Sequence, residues 1–356
     1  MPFCLQFWSI VFPALVLTAV FIAACGSISE PEQDQERVLT IMTHDSFSIS
    51  EHLLENFQAE NNVDVRFLKS GDTGTTVNKA ILSKDKPLGD VLYGVDNSFL
   101  SRTLEQNIFE PYTSPWLSAI DDDFELDPQH RVLPVDFGDV CLNFDLAYFE
   151  DQSLATPNSL TDLLDPQYKD LIVVENPATS SPGLAFLLTT IGNFGDPGYL
   201  DYWQGLVDNN VLVVNDWEVA YYQEFTRSGG SHPIVVSYGS SPPFEIIYAE
   251  TPTSEPPTAA LVDNGACFRQ IEFVGILKGT QNRDIAEAWI DFMLSPEFQE
   301  DIPLQMFVFP VNQQAKLDQV FEEYLAIPEI PTYVSYEDID EFREKWIDEW
   351  TQLVLR

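Results

Sequence analysis

The sequence predicts an α/β protein of two lobes, each a mostly parallel sheet flanked by helices, and three observations carry that expectation. Between residues 38 and 97, strand-like and helix-like stretches alternate as strand, helix, strand, helix, strand, the pattern of parallel sheets with crossover helices. The chain of 356 residues is long enough for two cores of ordinary size, and 45% hydrophobic with 13% aromatic residues excludes a disordered polymer. Finally, the stretch NDWEVAYYQEFTRSGGSHPIVVSYGSSPPFEIIY, Asn215 to Tyr248, reads as a short helix, a Gly-Gly turn, the strand Ile234 to Ser237 and a loop of small residues that opens another helix. Hydroxyls, free N–H groups and rings then collect at the carboxyl end of a strand, where open α/β sheets bind ligands.

In chain order, Val38 to Thr43 is the first strand, and Ser50 to Glu60 is a helix with Leu53, Leu54 and Phe57 in helical spacing. Between them His44 to Phe47 forms the first strand-to-helix turn. Val63 to Leu68 is a strand, Thr75 to Ser83 a helix and Asp90 to Gly94 a buried strand, with Val95, Asp96 and Asn97 in the loop beyond. Ser114 to Arg131, acidic and proline-containing, reads as irregular surface. VLPVDFGDVCLNF, Val132 to Phe144, is too continuously apolar for a loop and fits a strand leaving the first lobe. The second lobe is expected to hold a helix over Ser159 to Leu164, a strand over Leu171 to Val174, the loop Asn176 to Pro182 and a helix from Gly183. Phe268 to Leu277 is the returning strand, Asp284 to Leu294 a helix, Phe307 to Val311 extended, and Ile339 to Leu355 a closing amphipathic helix with Trp346 and Trp350 on its core face. Glu250 to Pro257 is a surface loop, and no internal repeat is present.

Residues 1–24 are apolar almost throughout and end in Ile22-Ala23-Ala24-Cys25-Gly26. Small residues before a cysteine that closes an apolar run resemble a bacterial lipoprotein signal, with residues 1–25 as the signal, Cys25 as the lipidated residue and residues 26–37 as a polar tether. No Lys or Arg precedes the apolar run, which leaves a misplaced start or an uncleaved anchor as alternatives. The 57 Asp and Glu against 17 Lys and Arg give a net charge of -40, a field that repels nucleic acid and anionic membrane surfaces and favours cations; solubility or adaptation to a salty habitat is the plainer explanation.

Catalytic patterns are missing from the sequence. The four histidines, His44, His52, His130 and His232, form no His-x-x-x-His pair, and there is no Cys-x-x-Cys, Gly-x-Ser-x-Gly or phosphate loop, so neither an enzyme, a metal site nor a cofactor is expected. The loop Ala178-Thr179-Ser180-Ser181-Pro182-Gly183 precedes a helix, where orphan N–H donors and the helix dipole favour an anion, although a Ser/Thr cap would look the same.

Trp217, Glu218, Ala220 and Tyr221, followed by Ser237-Tyr238 and Ser241-Pro242, resemble the thiamine-binding branch of the periplasmic solute-binding proteins of ABC importers. LTIMTHDSF (Leu39 to Phe47), DVLYGVDN (Asp90 to Asn97), ENPATSSPGL (Glu175 to Leu184), FMLSPEFQEDIP (Phe292 to Pro303) and WIDEWTQLVLR (Trp346 to Arg356) agree, in family order from about Val38 to the last residue. The resemblance implies a type II periplasmic-binding fold with ligand in an interdomain cleft, one lobe of residues 38–137 and 270–307, the other of residues 138–269 and 308–356. It also implies a monomeric receptor, lipid-anchored at the periplasmic or outer face of the cytoplasmic membrane, that hands thiamine or a phosphate ester of it to a permease. By the same resemblance Trp217, Phe244 and Phe307 supply faces for a flat cation, Asp96 a carboxylate, and Ser180 and Tyr238 the phosphate side; core packing is the alternative for each ring. Cys141 and Cys267 fall in segments that, in this family, cross between the lobes side by side, and in an export setting they are expected to pair; two free buried thiols are the alternative.

Three positions depart from the family pattern. His44 stands where Tyr is common, Glu51 where Trp is expected, and Phe307 replaces another Trp, so a related cationic heterocycle stays open as ligand. Iron-binding relatives present adjacent tyrosines on a loop after a strand, where this chain reads Tyr238-Gly239; Tyr221 and Tyr222 are adjacent but on a predicted helix, about 100° apart. A polyamine is the remaining rival, favoured by the acidic surplus.

Overall fold

The computed structural model describes residues 37–249, 251–324 and 326–356, so Cys25, the signal segment and nearly all of the tether lie outside the described residues. Strand β1 (Arg37–Thr43), helix α1 (Glu51–Asn61), β2 (Val63–Lys69), α2 (Thr73–Leu82) and β3 (Val91–Asp96) wind as expected, with β1 parallel to both β2 and β3. Asn62 ends α1 in the left-handed conformation that Asn tolerates, and Asp72 caps α2 by accepting from Thr73 N at 2.7 Å. Alternation feeds both faces of the sheet. Leu39 and Ile41 enter one apolar cluster with Val91 and Tyr93, while Met42 and Leu92 enter the other.

After α3 (Leu100–Glu105) and the two-residue β4 (Phe109–Glu110), residues 114–131 form two short 3₁₀ turns and irregular chain. The long strand β5 (Leu133–Asp145) follows, then α4 (Leu146–Gln152), β6 (Ile172–Glu175), α5 (Ser181–Phe194), α6 (Gly198–Asp208) and β7 (Leu212–Val214). The segment expected as a helix over 159–164 is instead a 3₁₀ turn, Leu160–Leu164. A single turn, α7 (Trp217–Val219), widens into a π turn over Ala220–Glu224 and leads to β8 (Ile234–Tyr238), α8 (Ser241–Ile247) and β9 (Thr258–Leu261). Last come β10 (Phe268–Leu277), α9 (Arg283–Leu294), α10 (Pro296–Met306), β11 (Phe309–Pro310), α11 (Gln319–Tyr324) and α12 (Tyr336–Val354).

One mixed sheet runs β2-β1-β3-β10-β5-β8-β6-β7, with β4 on β10 and both β9 and β11 on β5. Its outer trios are parallel, and the two long strands β10 and β5 join them antiparallel. The first part of β5 pairs with β10 and its last part with β8, so β5 carries the chain from one half of the sheet to the other. Beside the Val140–Phe268 pair, Cys141 and Cys267 form a disulfide with Cα atoms 4.5 Å apart. Closing a loop of 126 residues removes denatured-state entropy worth about 4–5 kcal/mol in the chain-entropy description. At the far end α12 packs on α6, where Trp350 meets Trp203 edge to face at 5.4 Å, both fully buried.

Several expectations need correction. Asp96 is the buried last residue of β3, not part of a loop, because β10 pairs with it through Glu272. Phe307 is not extended: its φ of 62° caps α10, and only Phe309–Pro310 is strand. Helix α10 was not anticipated, with Pro303 inside it obscuring the periodicity.

Candidate functional site

A cleft opens where the ends of β1 and α2 face the start of α5, the turn at Trp217 and the end of β8. Asp72 and His44 line one side, Ser181, Trp217 and Tyr238 the other, and Gln270 and Glu272 of β10 form its floor. Only about 30 Å³ of it is open to water-sized molecules, room for one or two waters, whereas small-molecule sites run to about 300 Å³ or more. A ligand larger than water enters only if the walls part.

The walls touch in two places. Trp217 N donates to Asp72 Oδ2 at 3.2 Å, and the Ser180 hydroxyl also bonds the Asp72 carboxyl. A Cβ on Gly74 would lie 2.9–3.0 Å from the carbonyl oxygens of Thr179 and Ala178, so α2 meets the loop before α5 this closely only with glycine there.

Carboxyl groups dominate the floor and the acidic wall. Glu272 stands in register with Asp96 on β3 and with Asp136 on β5, which puts three acids in a row across adjacent strands. The Tyr93 hydroxyl donates to Asp136 at 2.5 Å and to Glu272 at 3.2 Å. Burial pushes Asp136 and Glu272 upward, and Asp136 raises Glu272 further, so the pair holds a proton between them. Burial likewise lifts Asp72 and Asp96 to about 6 each, against the hydrogen bonds that favour their charged forms. Asp96 Oδ1 accepts from Ser98 N and Oγ, while Oδ2 has no partner. Behind the second wall Glu175 is fully buried with neither carboxyl oxygen bonded, and burial drives its pKa well above the ordinary range.

The imidazole of His44 lies against β3 because Gly94, at φ 93°, leaves the space: a Cβ there would come 2.3 Å from His44 Cδ2. Burial, aided by Lys69, lowers His44 to about 4, so the ring is neutral at physiological pH; Nε2 has no hydrogen bond and stands 3.6 Å from Glu272.

Rings gather on the opposite wall. Trp217 donates Nε1–H to Ser237 Oγ at 3.0 Å and stacks on Tyr221 at 5.1 Å with planes 20° apart. Tyr238 and Phe307 stand 6.3 and 6.2 Å from Trp217 between ring centres. Trp217 and Tyr238 line the cleft directly, whereas Phe307 is in the layer behind, and Phe244 is buried against Phe307 and Phe321 at 4.1 and 5.1 Å in a separate apolar cluster. Ser180 is buried, with its Oγ accepting from Gly183 N at 3.4 Å, and the hydroxyl that faces the cleft is that of Ser181, which has no partner. Asp96 likewise lies behind the lining, in register with Glu272. The Tyr221 hydroxyl is taken by Glu245 while Tyr222 is half exposed, their planes 86° apart, so the two phenols do not converge.

Sequence reading missed Asp72, Gln270 and Glu272. Asp72 reads as an ordinary helix cap, which it also is. Gln270 and Glu272 did carry a signal: two polar residues at i and i+2 put one polar face on an otherwise apolar strand, as a site-forming strand would. Gln270 is 2% exposed and its Oε1 is unpaired at the cleft floor.

Known proteins match this chain in sequence and in fold. The chain is 28% identical to the thiamine-binding periplasmic protein of Brucella suis over 92% of this chain and 95% of that one. It is 26% identical to the protein of the same name from Escherichia coli, over 90% and 94%. Among solved structures, a periplasmic thiamin binding protein superposes with a TM-score of 0.79 at 24% identity, covering 91% of this chain and 98% of that one. Iron-bound HitA from Pseudomonas aeruginosa superposes at 0.71 and 17% identity, covering 89% and 99%. These relatives are binding proteins, not enzymes, and the shared architecture is the type II periplasmic-binding fold. Residues 86–327 match the family described as bacterial extracellular solute-binding protein, and the chain belongs to that family.

Proposed function

We propose that this protein captures thiamine or a closely related flat cation in the cleft and delivers it to an ABC permease. One lobe, residues 38–137 with 270–307, brings the carboxyls; the other, residues 138–269 with 308–356, brings Trp217, Tyr238 and Ser181. Ligand that touches both lobes stabilises the closed form by its differential affinity. Cys25 would hold the receptor at the outer face of the cytoplasmic membrane through its lipid, with the relatives' periplasmic names supporting the compartment.

The observation that carries this reading is the pairing of an indole face with carboxyls that have no Lys or Arg in the cleft lining to balance them. A cation between them gains cation–π attraction of about 0.5–2 kcal/mol and relieves acids that are costly to bury alone. Neutral His44 and Gln270 Oε1 add polar edges suited to an aminopyrimidine. Mass spectrometry under native conditions should find an adduct of thiamine mass on the purified protein, absent from Trp217→Ala. A co-purifying ligand without cationic character would refute the assignment.

A further inference from the structure

We infer that Tyr333, on the far side of the hinge from the ligand, sets the receptor's affinity by helping to hold the lobes apart when the cleft is empty. The inference rests on the ligand-capturing cleft proposed above and concerns a surface outside it. Where β5 and β10 pass between the lobes, Asp136 and Gly138 stand opposite Glu272 and Gln270, and Phe137 and Asp139 stand opposite Ile271 and Arg269. Alternation along a strand sends these two sets to opposite faces. Gln270 and Glu272 line the cleft, whereas Arg269 and Ile271 line a separate groove at the back of the hinge.

That groove has one wall from each lobe. Asp121, Asp123 and Phe124 form the first, and residues 331–336, leading into α12, form the second. Both walls are tied to one short run of β10. Thr332 N donates to the Cys267 carbonyl at 2.7 Å, while the Asn97 side chain donates to the Arg269 carbonyl at 3.0 Å and accepts from Ile271 N at 3.1 Å. About 410 Å³ of the groove stands open, against about 30 Å³ of the cleft. A ligand enters the cleft only when its walls part, and hinge strands that bend to open one face become concave on the other. The groove therefore narrows as the cleft opens.

At the Asn97 end of the groove α3 and α12 already touch, with the Arg343 guanidinium 5.2 Å from the centre of the Phe99 ring and Arg102 3.6 Å from Glu344, and that contact is the pivot. The end with room to close lies between Phe124 and Tyr333. Phe124 is half-buried and stacked on Phe137 at 5.0 Å, whereas Tyr333 is 72% exposed. A single exposed ring is commonplace. This one shares with Phe124 a gap that shrinks on opening, so the open form buries apolar surface that the closed form leaves in water. Such burial favours the open form, and apparent affinity falls with the fraction of protein held in it.

Tyr333→Ala removes that burial, and thiamine should bind the full chain at least about threefold more tightly in an equilibrium titration, a gain that damage to the fold would not give. Tyr333→Phe keeps the ring and should restore the original affinity. Ile330→Ala is the control. Ile330 is 77% exposed on the same segment but lines a pocket formed by residues 262–265 and 329–332 of one lobe alone, so its truncation should leave the affinity unchanged. In small-angle scattering without ligand, Tyr333→Ala should have a smaller radius of gyration than the unaltered protein. Unchanged or weaker thiamine binding by Tyr333→Ala would overturn the inference, as would an equal gain in Ile330→Ala. If no form binds thiamine, the cation-binding reading falls by itself, and equal radii for the ligand-free proteins would overturn this inference separately.

Discussion

The two walls of the cleft are chemically unlike. The wall built from β1, α2 and the floor strand β10 is a set of acids, half-buried Asp72 and buried Glu272 at the surface of the cleft with buried Asp96 and Asp136 behind. The wall built from α5, α7 and β8 is rings and hydroxyls, with Trp217 already satisfied by Ser237 and Tyr221. The aromatic wall is complete by itself; the acidic wall is not. Buried carboxylates cost several kcal/mol each unless protonated or paired, so on the proposed function the acidic side gives a ligand's positive charge its advantage. On the proposed function, the aromatic side favours a charge carried on something flat.

Removing the flat face should have the largest effect. Trp217→Ala is expected to weaken thiamine binding by more than about tenfold, over about 1.4 kcal/mol, measured by titration with circular dichroism to confirm folding. Glu272→Gln should weaken it by about tenfold while raising the melting temperature of the ligand-free protein, because a carboxyl that burial forces to stay protonated is replaced by an amide that is neutral without a proton. Opposite signs for binding and stability separate this from simple loss of structure.

Proton linkage probes the acidic wall without mutation. Asp72 faces Asp216, Ser180 and the Trp217 amide; Asp96 faces Ser98 and Glu272, with Asp72 and Arg343 within electrostatic reach. Both titrate near 6 in the folded protein and near 3.8 ordinarily, so the stability they contribute is present below about 4 and lost as the pH rises through about 6. A bound cation favours their ionised forms. Thiamine affinity should therefore rise with pH up to about 6 and level off above, falling at least about tenfold between pH 7 and pH 5. A flat profile across that window would mean that these acids do not sense the ligand.

The smallest effect is expected where the walls merely touch. Gly74→Val would push against the carbonyls of Ala178 and Thr179, prop the cleft ajar and weaken binding by about threefold, with small-angle scattering showing a larger radius in the presence of ligand.

The scaffold was legible because apolar strands and helices alternate cleanly up to Asp96, and the long apolar runs of β5 and β10 mark strands buried on both sides. The place of Tyr238 was legible at the carboxyl end of a strand in a stretch of small residues, and that of Trp217 through the family resemblance. The acidic wall was hard to see because 57 acidic residues hide the few that matter, and only burial singles out Asp72, Asp136 and Glu272. Phe244 and Phe307 show the converse: a ring near the site in sequence goes behind it in space, since a left-handed turn at Phe307 directs its neighbours Met306 and Val308 to the lining instead.

Calorimetric titration of the full chain with thiamine at about pH 6, in two buffers of different ionisation enthalpy, addresses the pairing of walls most directly. One binding site with net release of protons is expected, because the arriving cation replaces them on Asp72, Asp96 and the Asp136–Glu272 pair. Binding with no proton exchange, or no binding at all, would contradict it.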